Sequence, residues 1–380
     1  MYTLIKNGYV YDNSNRGFSL GDILIKDGVI ASVSASGESC PTDTEIIDAR
    51  GKRLTSGLID VHTHGIAGYD FLTADASALG IMSRAYLSRG ITTVMPTLAS
   101  APLSEMFDAA ERIRDFCKSD ARLCGIHLEG RYLSLQKRGA HAQELIAPLS
   151  AQELCLFERL DIHPFHISAA FERDSELSFT KKALEMGATL GLAHTAANYA
   201  QAVECERAGV SAYTHLYNAM PPLHHRDGGP VAACLNGGCF AELICDGIHV
   251  SPEVVRLTYN IKRERLVLIS DSMEATLCPD GEYSIAGNAV CVTDGVARTY
   301  DGALAGSTLT LDRAVENLMR FCNIPLEEAI ISATEAPARE MGIYDFCGSI
   351  EAGKRADILF INEKAFEIEG VMSNGEYTPS

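Results

Sequence analysis

GLIDVHTHG, residues 57–65, runs an apolar segment of strand length into His62, Thr63, His64 and a glycine. Eleven histidines in 380 residues would supply roughly 0.3 His-x-His pairs by chance, so this pair gains meaning only from partners elsewhere. From residue 57 onward, apolar runs of strand length alternate with segments of helical period, the pattern of β/α units around a parallel sheet. Candidate strands fall at 58–62, 91–96, 124–129, 165–170, 190–195, 211–216, 241–248 and 266–271. Helix signals separate them: Gly90 after 75–89, a capping box of Ser150 with Glu153, and Ser251 followed by Pro252 at an N-terminus. Eight strands with helical connections are the count for a TIM barrel. A doubly wound open sheet competes, but no Gly-rich phosphate fingerprint follows the first strand.

Outside the barrel, residues 1–50 show short alternating segments broken by Asn-Gly and Asp-Gly turns, a small β module. GSIEAGKRADILFIN, from residue 348, returns to strand-like alternation. The expected architecture is therefore α/β: a (β/α)8 TIM barrel over 54–345, with a small β-sandwich domain built from 1–53 and 346–380. Residues 279–305, Gly-rich with short β segments, read as an excursion before the last helices.

Composition narrows the function. The chain carries 32 Lys and Arg against 50 Asp and Glu, a formal charge of −18, which argues against a nucleic-acid footprint. No 18-residue apolar run and no secretory n-region and h-region are present, so a cytoplasmic protein without a membrane partner is expected. Twelve cysteines without a CxxC pair read as reduced thiols rather than a disulfide framework or a thiolate zinc site.

The ligand-type residues then take positions. His62 and His64 close the first strand, Glu129 the third, His194 the fifth, His215 the sixth and Asp271 the eighth. In a TIM barrel these ends open on the face where active sites are built. One such residue is more often structural; six on one face are not. Imidazole and carboxylate suit Zn²⁺ or Fe²⁺, and Glu129 can bridge two ions through its two oxygens. Such a centre activates water and polarises a carbonyl, and Asp271 is the candidate to move the proton.

Taken with DVHTHGIAGYDF, HLEG, KRGAH, GLAHTAANY, THLYNAMPPLHHRDGG, CDGIHVSPE, SDSMEATLCPDGEY and LAGSTLTLDRA, the chain resembles the amidohydrolase superfamily, and within it the N-acetylglucosamine-6-phosphate deacetylase family, over nearly its whole length. HTH alone is shared with hydrolases of many other substrates. The resemblance implies hydrolysis of N-acetyl-D-glucosamine 6-phosphate to D-glucosamine 6-phosphate and acetate, with one or two divalent ions, Zn²⁺ or Fe²⁺, per subunit. It implies Glu129, His194 and His215 as ligands of the principal ion, His62 and His64 at an accessory ion, and Asp271 as catalytic acid/base. His141 resembles the histidine that orients or polarises the acetamide carbonyl, with Ala140 beside it. Asn218, Ala219 and Arg226 resemble the phosphate receptors, Arg226 through its planar donor fork. Asp246, Gly247, Ile248 and His249 match a substrate-contacting loop, and Leu304, Ala305 and Gly306 a backbone wall. A homodimer is implied, with the Arg226 and His249 loops reaching towards the neighbour's substrate. His224 and His225 carry no assigned role, and His163 and His166 read as structural. Arg131 stands where the family usually has proline. The galactosamine epimer, another amidohydrolase substrate, or a barrel without chemistry are the alternatives.

Overall fold

The eight apolar segments form one parallel sheet in the computed structural model, which describes residues 1–35, 37 and 40–379. Its strands are Leu58–Thr63, Ile91–Ala99, Ile126–Glu129, Phe165–Ala169, Thr189–Leu192, Ala212–Tyr213, Phe240–Ile244 and Leu266–Ile269, each paired with the next in parallel register. Most are buried along their full length, as expected where side chains fill the barrel inside and helices cover it outside. The seam between first and eighth strands is closed by a parallel bridge of Thr63 with Ser272 and by the Asp271 N–H donating to the His62 carbonyl, 2.9 Å. Within it the Asp60 carboxylate accepts from the N–H groups of His62 and Ser270, 3.3 Å each.

The helices follow their local signals with two exceptions. Asp75 caps Ala76–Leu87 by accepting from the Ala78 N–H, and Gly90 then turns the chain at φ +75°. A Cβ on Gly90 would lie 2.5 Å from the Ile368 side chain, so glycine also permits the close approach of the barrel to the small sheet. Ser150 caps Ala151–Glu158 through the Glu153 N–H, but the expected reciprocal bond is missing. The Glu153 carboxylate turns instead to Arg131 and Tyr132, and the complete capping box belongs to Asn198 and Gln201. Ser251 makes no side-chain cap; Pro252 opens that helix at the position where a missing N–H is harmless. Helix Leu311–Cys322 buries Leu311, Ala314, Val315 and Leu318 at helical spacing against the barrel, and each fully buried leucine contributes about 1.5–3 kcal/mol.

The two chain ends meet in a separate eight-stranded sheet. Strand Lys52–Ser56 pairs in parallel with Tyr2–Asp12 and antiparallel with Ile358–Asn362, joining the N-terminal strands to the C-terminal ones. Ile5, Val10, Ile23, Leu54, Ile358 and Phe360 belong to its own core. The Gly-rich excursion is a three-stranded antiparallel sheet, Gly281–Ile285, Asn288–Thr293 and Val296–Thr299, whose core includes Ala99 and Met273 at the barrel rim. No helix among the described residues is long and apolar enough to cross a membrane.

Candidate active site

The six ligand-type residues converge at the C-terminal end of the barrel. His62, within the first strand, and Glu129, at the end of the third, are placed directly by their strands. His194, His215 and Asp271 each lie two residues beyond theirs and take left-handed backbone conformations, φ +43°, +33° and +48°. For non-glycine residues each such conformation costs roughly 1–2 kcal/mol, a strain that collects at functional sites.

Glu129 divides the cluster into two halves. Its Oε1 lies 2.9 Å from His215 Nε2 and 3.2 Å from His194 Nε2, and those two nitrogens are 3.1 Å apart. Its Oε2 lies 3.0 Å from His64 Nε2 and 3.4 Å from His62 Nε2. Asp271 Oδ1 faces this second half, 3.3 Å from His64 Nε2 and 3.5 Å from His62 Nε2. Everything in the cluster is buried.

The electrostatics call for a cation. Burial opposes charge throughout, yet Glu129 and Asp271 hold His62 and His64 up, the latter to about 9. Against the same burial, His62 and its neighbours hold the Glu129 and Asp271 carboxyls below their usual range. The donor set fits a divalent metal: nitrogen and oxygen ligands only, buried, with His62 Nε2 lacking a hydrogen-bond partner. The His194 Nδ1–H donates to the Lys137 carbonyl at 2.8 Å, which leaves its Nε2 lone pair turned to the centre, the usual outer-shell arrangement of a ligating histidine.

A cavity of about 250 Å³ opens over this centre. His64, Glu129, His194, His215 and Asp271 form its floor, and Ala140, His141, Asn218, Ala219, His249, Leu304 and Gly306 stand on its walls. His141 is buried, and that burial pushes its imidazole down to about 3.

Other residues singled out in the sequence stand elsewhere. Arg226 is exposed on the 221–228 loop and does not line the cavity of its own chain. Asp246 and Ile248 face an adjoining cavity of about 400 Å³, which shares His249 and Gly306 with the first. The Asp246 carboxylate is taken up within its loop, accepting from the N–H groups of Ile248 and His249 and, at 2.6 Å, from His249 Nδ1–H. Gly247 makes the turn at φ +79° against the Phe321 ring, and Ala305 is buried in the core of the excursion. Conversely, Gly139, Ile285, Ala286 and Ala303 line the cavity without any signal in residue type that marked them.

Known proteins share this fold and much of this sequence. Residues 53–378 match the Amidohydrolase family. The N-acetylgalactosamine-6-phosphate deacetylase of Escherichia coli O157:H7 is 35% identical over 343 residues, 89% of this chain and 89% of that one. The N-acetylglucosamine-6-phosphate deacetylase of Vibrio furnissii is 35% identical over 328 residues, covering 85% and 82%. The crystal structure of N-acetylglucosamine-6-phosphate deacetylase from Pasteurella multocida superposes with a TM-score of 0.93 at 28% identity over the whole of both chains. A barrel with its ligand-type residues gathered at one mouth, matched from residue 53 to residue 378, places the chain in the metal-dependent amidohydrolase family.

Proposed function

We propose that the chain hydrolyses N-acetyl-D-glucosamine 6-phosphate to D-glucosamine 6-phosphate and acetate. The observation that carries this reading is the shared Glu129 carboxylate, with Asp271 and His141 facing the same cavity. Glu129, His194 and His215 would hold a principal Zn²⁺ or Fe²⁺ and His62 and His64 an accessory one, supplying when bound a Lewis acid that activates water and polarises the acyl carbonyl. Asp271, ionised at neutral pH, takes the proton of the attacking water as the new C–O bond forms. It then gives that proton to the nitrogen as the C–N bond breaks, so acetate and a free amine leave. His141 donates to the acetamide oxygen, where negative charge develops.

Asn218 and Ala219 stand on the wall and suit the phosphate end of the sugar. Arg226 is assigned to the same phosphate from a second copy of the chain, because it is exposed and outside its own cavity; the working unit is then a homodimer. Twelve unpaired cysteines suit a reducing compartment, and we place the protein in the cytoplasm.

A second substrate is favoured by one observation: the galactosamine-specific relative matches as well as a glucosamine-specific one, 35% in both cases. Paired deacetylation assays on the two 6-phosphorylated epimers, before and after exhaustive chelation, test the proposal. Activity on the glucosamine epimer that chelation abolishes and Zn²⁺ or Fe²⁺ restores is expected. Full activity in metal-free protein would overturn the mechanism, and preference for the galactosamine epimer would reassign the substrate. Arg226→Ala is expected to raise KM for the phosphorylated sugar roughly 10-fold or more and to leave the unphosphorylated sugar unaffected, since only the former loses a charge-assisted bond.

A further inference from the structure

His141 and His194 sit edge to face, 4.8 Å between ring centres, in the same wall of the cavity. Their Nδ1 atoms meet opposite kinds of partner. His194 Nδ1 faces a carbonyl, which can only accept, so its proton is on Nδ1. His141 Nδ1 faces Ser100, 2.8 Å from the hydroxyl oxygen and 3.4 Å from the backbone N–H.

The Ser100 hydroxyl is committed by a third group. Arg131 follows the Glu129–Gly130 pair in a left-handed conformation, φ +64°, and donates its backbone N–H to Ser100 Oγ at 2.9 Å. That conformation is held from outside: the guanidinium forks onto Glu153 at 3.2 and 3.3 Å and reaches the Ala101 carbonyl at 3.3 Å. Proline could adopt neither this φ nor this role as a donor. With Oγ accepting from Arg131, its own hydrogen is free to point at His141 Nδ1. The Ser100 backbone N–H, which can only donate, points there too, so an N–H on that ring atom would oppose it. Nδ1 must therefore accept, and the ring proton lies on Nε2.

We propose that Ser100, fixed by the Arg131 backbone N–H, is a positioning residue that keeps His141 in the Nε2–H tautomer and so makes it a hydrogen-bond donor to substrate rather than a metal ligand. The distinction matters because Glu129, His141 and His194 converge closely enough to hold an ion between them. A protonated Nε2 has no lone pair to give. The donor role towards an acyl oxygen rests on the deacetylase reading; the tautomer does not.

The test is a long-range ¹H–¹⁵N correlation spectrum of zinc-loaded, ¹⁵N-histidine-labelled protein, with His141→Gln used to assign the ring. The expected result is an Nε2–H pattern for His141 and an Nδ1–H pattern for His194. Ser100→Ala should move His141 towards the other tautomer and lower kcat roughly 10-fold or more, with KM within about 3-fold. Ser100→Thr, which keeps the hydroxyl, should restore both. An Nδ1–H pattern for His141 in the unaltered protein overturns the proposal, even if Ser100→Ala fails to fold. So does a Ser100→Ala spectrum identical to that of the parent. Absence of deacetylation by the unaltered protein would sink the substrate reading instead, leaving the spectrum to decide the tautomer.

Discussion

At the mouth of the barrel His62, His64 and His215 face the Glu129 and Asp271 carboxylates, and despite complete burial their imidazoles are held above the usual range. One layer below, His127 and His166 are buried just as deeply and are pushed down instead, His166 to about 4. Their nearest partners are hydroxyls and a carbonyl: His127 lies 2.7 Å from Ser168 Oγ and 3.2 Å from the Val61 carbonyl, and His166 lies 2.7 Å from Thr189 Oγ1, with one carboxylate, Glu242, farther off at 3.7 Å from His166 Nε2. Burial is common to both layers, so the difference comes from what each ring faces. Close carboxylates gather positive charge, as protons or as metal, whereas hydroxyls at hydrogen-bond distance satisfy a neutral ring. Changes at the mouth should therefore cost chemistry, and changes below it stability.

The largest effect should come from Asp271→Asn. The amide keeps size and can still face His62 and His64, but it cannot take a proton. Turnover should fall about 10²–10⁴-fold while substrate still binds and metal is retained at the Glu129, His194 and His215 half. Metal content and turnover measured on the same preparation check this. Near-normal turnover would remove Asp271 from the reaction and leave the mouth with no assigned proton carrier.

Much of this division was legible in the sequence, and the part that was not has physical causes. His62, His64 and Glu129 could be placed because an apolar run predicts where a strand ends and the barrel rule says which face that end meets. The left-handed turns at His194, His215 and Asp271 could not, because a residue just past a strand carries no periodicity. His127 and Glu242 sit inside runs otherwise apolar, at positions that face inward. His127 precedes Glu129 by two residues, the spacing that puts both side chains on one face, and that was the available signal. Residue type alone does not say whether such a group faces a carboxylate or a hydroxyl. The loop of Arg226 illustrates another limit: motif resemblance names the residue, but its exposure in the folded chain says that its own cavity is not where it acts.

The lower layer can be tested directly. His166→Ala should leave a cavity and cost Thr189 its stronger hydrogen bond, leaving only Met341 Sδ at 3.6 Å, a loss of about 2–4 kcal/mol of stability, with kcat/KM within a few-fold of the parent. Urea denaturation alongside steady-state kinetics reads both. A large loss of turnover or of bound metal, with stability unchanged, would make the interior part of the site and erase the contrast between the layers.

The smallest effect sharpens the contrast most, because it asks whether a second interior carboxyl stays uncharged. Glu340 is buried beside Glu242, and burial together with the Glu242 charge pushes it well above its ordinary value of 4.5. The folded protein therefore keeps a proton on Glu340 that the unfolded chain releases once the pH exceeds about 4.5. Stability from this group is fully present below that pH and is lost as the pH rises towards the folded value. Glu340→Gln has the same shape and nothing to titrate, so between pH 4.5 and 5.5 it should gain on the parent by about 1 kcal/mol, a slope that approaches about 1.4 kcal/mol per pH unit above that interval. Urea denaturation of both proteins at pH 4.5 and 5.5 isolates the difference, since all other titrating groups are shared. A gap that stays flat across that interval would mean that Glu340 ionises in place, beside Glu242.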